Sequence, residues 1–162
     1  MHTQFGARYD DYSAWGGKDT YSVGATYDVV KTFTLYANYG TSFTPADLDQ
    51  LFDPTYGNTD LTPANADTIE GGIRARQFDG VLTENITFWH SYVDNVITYD
   101  ATIPNPRIIY GPPFGAYGNA EAERSQGVEF ETAIQITPHL TLNGNYTYTD
   151  AASRIPAVCG MP

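Results

Sequence analysis

The chain has 162 residues and carries 8 Lys and Arg against 19 Asp and Glu, a net charge of −11. This length suits one ordinary domain, and so acidic a balance argues against binding to nucleic acid, which requires a basic surface. A single cysteine, Cys159, excludes an internal disulfide framework. Aromatic residues reach 14% while charged residues are only 17%, which fits a surface that meets an interface or a glycan.

Seven segments alternate between apolar and polar side chains and are predicted to be β-strands, because successive side chains of a strand point to opposite faces. In chain order they are residues 2–12, 20–28, 33–43, 68–77, 81–94, 124–136 and 140–149. The last of them, LTLNGNYTYT, has the clearest alternation: Leu, Gly and Tyr occupy one face, Asn and Thr the other. No segment has a convincing helical period, although residues 45–52 have room for one or two helical turns.

The predicted connections are short at one end of these strands and longer at the other. Residues 29–32, 78–80 and 137–139 form tight turns, residues 13–19 a medium loop, and residues 44–67 and 95–123 long loops. Outer-membrane β-barrels have this asymmetry, whereas sandwiches usually mix loop lengths at both ends. The predicted fold is therefore all-β, an antiparallel up-and-down transmembrane β-barrel segment, with a soluble β-sandwich as the alternative.

Motifs along nearly the whole chain resemble, in the same order, the β-barrel of the TonB-dependent outer-membrane receptors of the siderophore-receptor type. The segments that carry the resemblance are GARYDDYS (6–13), TLYANYGTSFTP (34–45), GNTDLTP (57–63), EGG (70–72), Asn119 with GVEFE (127–131), and residues 140–150. Two positions depart from the family pattern. Ala64 stands where a Glu is usual, and Gly71 stands where a larger apolar residue is usual.

The resemblance implies that residues 1–162 are a partial barrel domain from the C-terminal half of a receptor, about seven of roughly 22 strands, without the plug and the C-terminal strands. It implies a Gram-negative outer membrane, contact with lipid, and uptake driven by a TonB complex through the absent plug. Ferric siderophore is the favoured cargo; cobalamin, haem or a glycan are the other cargoes. No enzymatic activity, cofactor or nucleic-acid partner is expected. The alternative function is that of a soluble carbohydrate-binding β-sandwich.

Under the barrel interpretation each face of the sheet has its own environment. Four charged residues, Arg74, Arg76, Glu129 and Glu131, would face the lumen and pair with the plug or with each other, because a charge at mid-bilayer costs about 2–4 kcal/mol. On an open soluble sheet the same charges would simply be solvated. The apolar face would contact lipid through Val23, Ala25, Ile69, Ile73, Ile86, Phe88, Val128, Phe130, Ile134, Leu140 and Leu142.

The long loops are the candidate ligand vestibule. Aromatic side chains beside an arginine suit an anionic, partly apolar ligand such as a ferric siderophore. The alternative is that these aromatic residues pack within the loops themselves. The predicted ligand-binding residues are Tyr99, Arg107, Tyr110, Phe114 and Tyr117 in one loop, with Phe52 and Tyr56 in the other.

A catalytic or metal site is not predicted. The three histidines, His2, His90 and His139, lie far apart along the chain. The sequence contains no HExxH or GxSxG motif and no paired cysteine ligands.

Overall fold

The computed structural model describes residues 1–13, 15–106 and 112–154. They form one seven-stranded sheet in which each strand pairs antiparallel with the next along the chain, the order being β1 to β7. The strands are β1 (His2–Tyr12), β2 (Gly16–Val30), β3 (Phe33–Thr44), β4 (Ala64–Gln77), β5 (Leu82–Pro104), β6 (Phe114–Thr137) and β7 (Leu140–Arg154). A short helix, α1 (Leu48–Phe52), interrupts the connection between β3 and β4.

All seven predicted strands are present and the predicted fold class is confirmed, but two of the predicted loops are wrong. Residues 95–123 are mostly a continuation of β5 and β6, which pair from Leu82 with Ile134 out to Pro104 with Phe114. Likewise β2 begins at Gly16, so the predicted loop over residues 13–19 is shorter than expected. The remaining connections keep the predicted asymmetry between one end of the sheet, here called the turn end, and the other, the loop end.

The turn end is closed tightly. The connection between β4 and β5 is the predicted turn over Phe78–Gly80, a single 3₁₀ turn. Phe78, Asp79 and Gly80 all have positive φ, at 53°, 55° and 92°, which makes the chain reverse direction within these residues. The loop end instead carries residues 45–63, here called the outer loop, and the parts of β5 and β6 beyond Tyr92 and Arg124, here called the outer hairpin.

The register places the predicted apolar residues on one face of the sheet. Residues that pair across antiparallel strands point to the same side, so each paired row shows the character of its face. One row runs through β2 to β7 as Tyr27, Leu35, Ile73, Ile86, Phe130 and Tyr146. The next runs as Ala25, Ala37, Gly71, Phe88, Val128 and Tyr148.

This apolar face is uncovered by protein among the described residues. Phe88 is 58% exposed, Ile69 56% and Leu142 60%. On β5 the side chains of this face run from Leu82 to Tyr92, with Glu84 and His90 as the polar ones among them. They span about ten residue steps of about 3.3 Å on a strand tilted by about 40°, or about 25 Å in height. That is the height of the apolar band on an outer-membrane barrel.

The small hydrophobic core lies at the loop end, not between two sheets. Ala46, Leu51 and Leu61 are buried there, with Trp15, Ile97 and Tyr117 packed against them. Among the residues that the structure describes, no helix has the length and apolar character needed to cross a membrane.

Candidate lumen face and ligand vestibule

The polar face of the sheet carries a hydrogen-bond network centred on Tyr36 of β3. The Tyr36 hydroxyl donates to Asn85 Oδ1 at 3.1 Å and lies 2.6 Å from Thr87 Oγ1. Asn85 Nδ2 in turn donates to Glu131 Oε2 at 3.0 Å. The network joins β3 to β5 and β6 across β4, and Thr87, in the middle of it, is buried.

Gly72 of β4 makes room for this crossing. A Cβ at Gly72 would lie 2.6 Å from Tyr36 Oη and would also overlap the Ile86 carbonyl oxygen, so any side chain there would displace the ring. Beside the ring, the Arg74 guanidinium carbon lies 5.4 Å from the centroid of Tyr36, within cation–π range. The EGG motif therefore accommodates a tyrosine that spans a neighbouring strand.

The four charged residues predicted to face the lumen share this polar face. The register pairs Arg74 with Asn85 and then Asn85 with Glu131, which places Arg74 and Glu131 in one row. The ion pairs among the described residues are Arg8 with Asp10, at 2.7 Å, and Arg124 with Asp150, at 4.0 Å. Within that part of the chain the two arginines and two glutamates therefore form no ion pairs with each other, and the polar face retains unneutralised charge of both signs.

Glu84 departs from the clean division of the two faces. By the alternation of β5 it lies on the apolar face, next to Ile86 in the same file of side chains. It accepts a hydrogen bond from Gln77 Nε2 at 3.0 Å, close to the turn end. A carboxylate costs much less free energy near the membrane–water boundary than at mid-bilayer. A position beside the turn is therefore the least costly one for Glu84 on this face.

The outer loop begins with α1, as the sequence allowed. Gln50 Oε1 accepts a hydrogen bond from the Asp47 backbone N–H at 2.9 Å, one half of a capping box. After the helix, Asp53 Oδ1 accepts from the backbone N–H groups of Thr55 and Tyr56, at 2.8 and 2.7 Å. At Gly57 a Cβ would lie 2.6 Å from the Asp53 backbone N and O, so only glycine fits this turn.

Three asparagine side chains tie the outer loop to the outer hairpin. Asn58 Nδ2 donates to the Tyr117 carbonyl at 2.9 Å, and Asn105 Nδ2 donates to the Thr55 carbonyl at 2.7 Å. Asn119 bonds Thr62 in both directions, at 2.7 Å each. Sequence reasoning singled out Asn119 only as part of a motif and missed Asn58 and Asn105, because nothing in the sequence says which loop backbone an asparagine will meet.

The predicted ligand-binding aromatic residues divide into two groups. Tyr56, Tyr99 and Tyr117 pack on each other edge to face, with ring centroids 5.3 Å apart for Tyr56 and Tyr99 and 6.1 Å for Tyr99 and Tyr117. Phe52 and Phe114 are 59% and 58% exposed. The first group fits the alternative that loop aromatics pack within the loops, although Tyr99 remains 47% exposed, and the second group is the more exposed of the two. Arg107 and Tyr110 lie outside the described residues, as does Cys159.

The described part of the vestibule is acidic. The outer loop carries Asp47, Asp49, Asp53 and Asp60 and no Lys or Arg. On the outer hairpin, beyond the apolar band, the Thr102 hydroxyl and backbone N–H both donate to Asp100 Oδ1 at 2.7 Å, which lowers the pKa of Asp100. Within the described ranges no group of three or more His, Cys, Asp or Glu side chains could hold a metal ion.

Comparison with known proteins identifies relatives at the level of family and fold. Residues 2–158 match a sequence model of the family described as TonB dependent receptor-like, beta-barrel. The vitamin B12 transporter BtuB of Vibrio cholerae is 32% identical over 135 residues, which cover 82% of this chain. The chain spans only 20% of the length of that transporter.

Solved structures of the same architecture superpose well on the sheet. The siderophore receptor PirA from Pseudomonas aeruginosa matches 92% of this chain and 28% of its own, with a TM-score of 0.73 and 21% identity. The pyoverdine receptor FpvA from the same organism, bound to pyoverdine, matches 86% of this chain and 20% of its own, with a TM-score of 0.68 and 25% identity.

Proposed function

Because the chain belongs to the TonB-dependent receptor β-barrel family, we propose that it forms part of the wall of an outer-membrane receptor for TonB-dependent uptake of a scarce nutrient. The family is one of receptors and transporters, and its barrels lie in the outer membrane of Gram-negative cells. Under this proposal the receptor moves its cargo without making or breaking a covalent bond in it.

The observation that carries the proposal is the two-sided character of a single sheet. Its apolar face is exposed over about 25 Å, the thickness that lipid would cover. Its other face holds the Tyr36 network and unneutralised charges. A carbohydrate-binding sandwich would need a second sheet on the apolar face, whereas the described residues form one sheet only.

Ferric siderophore is the first proposed cargo. It is supported by the fold likeness to two siderophore receptors, PirA and the pyoverdine-binding FpvA. Phe52 and Phe114 are the most exposed of the predicted aromatic side chains and would stack on such a ligand, with Arg107 and Tyr110 as further candidates. The acidity of the outer loop means that an anionic chelate would need cations from Arg107 or from other parts of the receptor.

Cobalamin is the second candidate cargo. A specific observation favours it, the 32% identity to the vitamin B12 transporter of Vibrio cholerae over 82% of this chain. A ligand without the strong negative charge of many ferric chelates would also meet less repulsion from Asp47, Asp49 and Asp53.

The polar face is proposed to face a plug domain. Arg74, Arg76, Glu129 and Glu131 have no ion-pair partner among the described residues, and a plug inside the barrel would supply opposite charges. TonB would act through that plug, which residues 1–162 do not include. The chain is thus proposed to be a partial barrel domain in a longer protein.

Uptake by cells distinguishes the two cargoes. A strain with the full-length gene and an isogenic deletion strain are compared for uptake of a panel of radiolabelled ferric siderophores and of radiolabelled cyanocobalamin. Uptake of one ferric siderophore that depends on both the gene and TonB would support the first proposal. Gene-dependent uptake of cyanocobalamin alone would replace it with the second, and equal uptake of every probe by both strains would contradict both proposed cargoes.

A further inference from the structure

We propose that Asn119 is a positioning residue that fastens the outer loop to the outer hairpin, so that the two form one rigid wall of the vestibule. Its expected effect on uptake rests on the proposed receptor function, whereas the hydrogen bonds that support it do not. Asn119 lies on β6, where its backbone position pairs with Ile97 of β5. Its side chain is half-buried between the hairpin and the loop.

The Asn119 amide takes the place of a neighbouring strand for the outer loop. Its Nδ2 donates to the Thr62 carbonyl at 2.7 Å, and its Oδ1 accepts from the Thr62 backbone N–H at 2.7 Å. A backbone unit in an antiparallel sheet exchanges the same two bonds with its partner. Thr62 therefore has both backbone groups satisfied by one side chain 57 positions away.

The same amide also closes an irregularity in β5. Nδ2 donates a further hydrogen bond to the Asn95 carbonyl at 2.8 Å. Asn95 has a positive φ of 54°, and the pairing of β5 with β6 shifts between Val93 and Val96. The bulge leaves the Asn95 carbonyl outside the regular ladder, and Asn119 satisfies it.

This set of bonds selects asparagine. Two amide hydrogens and one amide oxygen meet two carbonyls and one N–H, so donors and acceptors match. An aspartate would accept from Thr62 but would direct its charge at two carbonyl oxygens. An alanine would remove the hydrogen-bond partner of three backbone groups, and each would then bond to water or stay unsatisfied.

The fastened residue, Thr62, is itself exposed but lies between two of the most buried residues of the outer loop. Leu61, just before Thr62, is 2% exposed, and Pro63, just after it, is below 2%. From the opposite side, Trp15 Nε1 donates to the Leu61 carbonyl at 3.0 Å. Here the term clamp denotes Asn119 and Trp15 acting on Leu61 and Thr62. The clamp holds this end of the outer loop, whereas Leu48, in α1 near the other end of the loop, is 74% exposed.

Distance measurement in the full-length receptor tests the clamp without any ligand. Spin labels are placed on cysteines at Leu48 of the loop and Phe114 of the hairpin, in a Cys159→Ser background, with the receptor in lipid bilayers. With Asn119 present, we expect one narrow distance distribution. Asn119→Ala is expected to broaden it severalfold, and Asn119→Asp at least as much.

A matched control removes an asparagine elsewhere in the same sheet. Asn143 lies exposed on the polar face of β7, and Asn143→Ala is expected to leave the distribution narrow. An equally narrow distribution in Asn119→Ala would overturn the proposal. If that variant does not reach the membrane, hydrogen exchange of the Thr62 amide is measured in the unmodified receptor instead. Protection equal to that of the β6 amides would support the clamp, and exchange at the rate of a free loop would contradict it.

Uptake kinetics test the consequence for function, using whichever probe the receptor takes up, a ferric siderophore of the panel or cyanocobalamin. A positioning role predicts that Asn119→Ala raises the half-saturating concentration about tenfold while the maximal rate per folded receptor is unchanged. An unchanged half-saturating concentration would contradict that role. If the unmodified receptor takes up no probe, both proposed cargoes fail, whereas the distance measurement still decides the clamp.

Discussion

At the scale of single residues, the two faces of the sheet differ in what each position tolerates. Val128 lies in the middle of the apolar face, paired with Phe88 and Tyr148. Its chain neighbour Glu129 points to the polar face and pairs with Thr147. Adjacent positions on one strand are therefore assigned to lipid and to lumen.

A charge substitution at each face tests this assignment. Val128→Arg should lower the free energy of unfolding of the full-length receptor in bilayers by about 2–4 kcal/mol, since the guanidinium would enter the apolar band. Thr147→Arg is the matched control: it brings a cation opposite Glu129 and should change the free energy of unfolding by less than about 1 kcal/mol. The measurement is a urea titration in bilayers, and equal costs for the two variants would rule out the assignment.

Tyr117 and Phe114 separate packing from ligand binding. Tyr117 contacts Tyr99 and the small core, so Tyr117→Ala should loosen the outer loop and speed protease cleavage there roughly tenfold. Phe114 is 58% exposed, so Phe114→Ala should leave cleavage unchanged and raise only the half-saturating ligand concentration. Faster cleavage in Phe114→Ala with unaltered uptake would mean that Phe114 is a packing residue instead.

At the scale of elements, alternation predicted the strands where one face is apolar and failed where the strands leave the apolar band. Beyond Val93 the pairing of β5 and β6 shifts at three places, and each shift resets the alternation along the chain. Pro104, which pairs with Phe114, and Gly115 are residues typical of loops, yet both lie within strands. The sequence therefore predicted a long loop over residues that form a paired hairpin, which extends about 33 Å along β6 from Arg124 to Phe114.

The candidate site was predictable where it lies on regular strands, and not where it depends on the outer loop. Arg74, Arg76, Glu129 and Glu131 share a face because strand periodicity alone determines this. The contacts of Asn58, Asn105 and Asn119 depend on how the outer loop folds back, which no local pattern encodes. Tyr56, Tyr99 and Tyr117 were predicted as ligand contacts, yet they meet each other in the structure, and their role in binding stays a prediction.

At the scale of the whole molecule, the sheet is open. β1 and β7 each have one unpaired edge among the described residues, and nothing in that part of the chain covers the apolar face. Unpaired backbone groups cannot persist in lipid, so a stable barrel requires further strands to join these edges.

Expression of residues 1–162 alone tests this requirement. The isolated chain is expected neither to insert stably nor to transport, because both sheet edges would expose N–H and C=O groups to hydrocarbon. The measurement is heat-modifiable migration of an outer-membrane fraction on gels, with the full-length receptor as the positive control. A stable, heat-modifiable band from the isolated chain would show that it closes a barrel of its own.

Contact between the apolar face of this sheet and lipid can be measured by the collision accessibility of spin labels along β5. Single spin labels are placed at positions 85 to 90 of the full-length receptor in bilayers, in a Cys159→Ser background. Lipid contact predicts a two-residue period. Labels at Ile86, Phe88 and His90 should be accessible to oxygen and shielded from a water-soluble nickel complex, and labels at Asn85, Thr87 and Trp89 should be shielded from oxygen. Equal access of the nickel complex to labels at Ile86 and Phe88, or the reverse period, would contradict it.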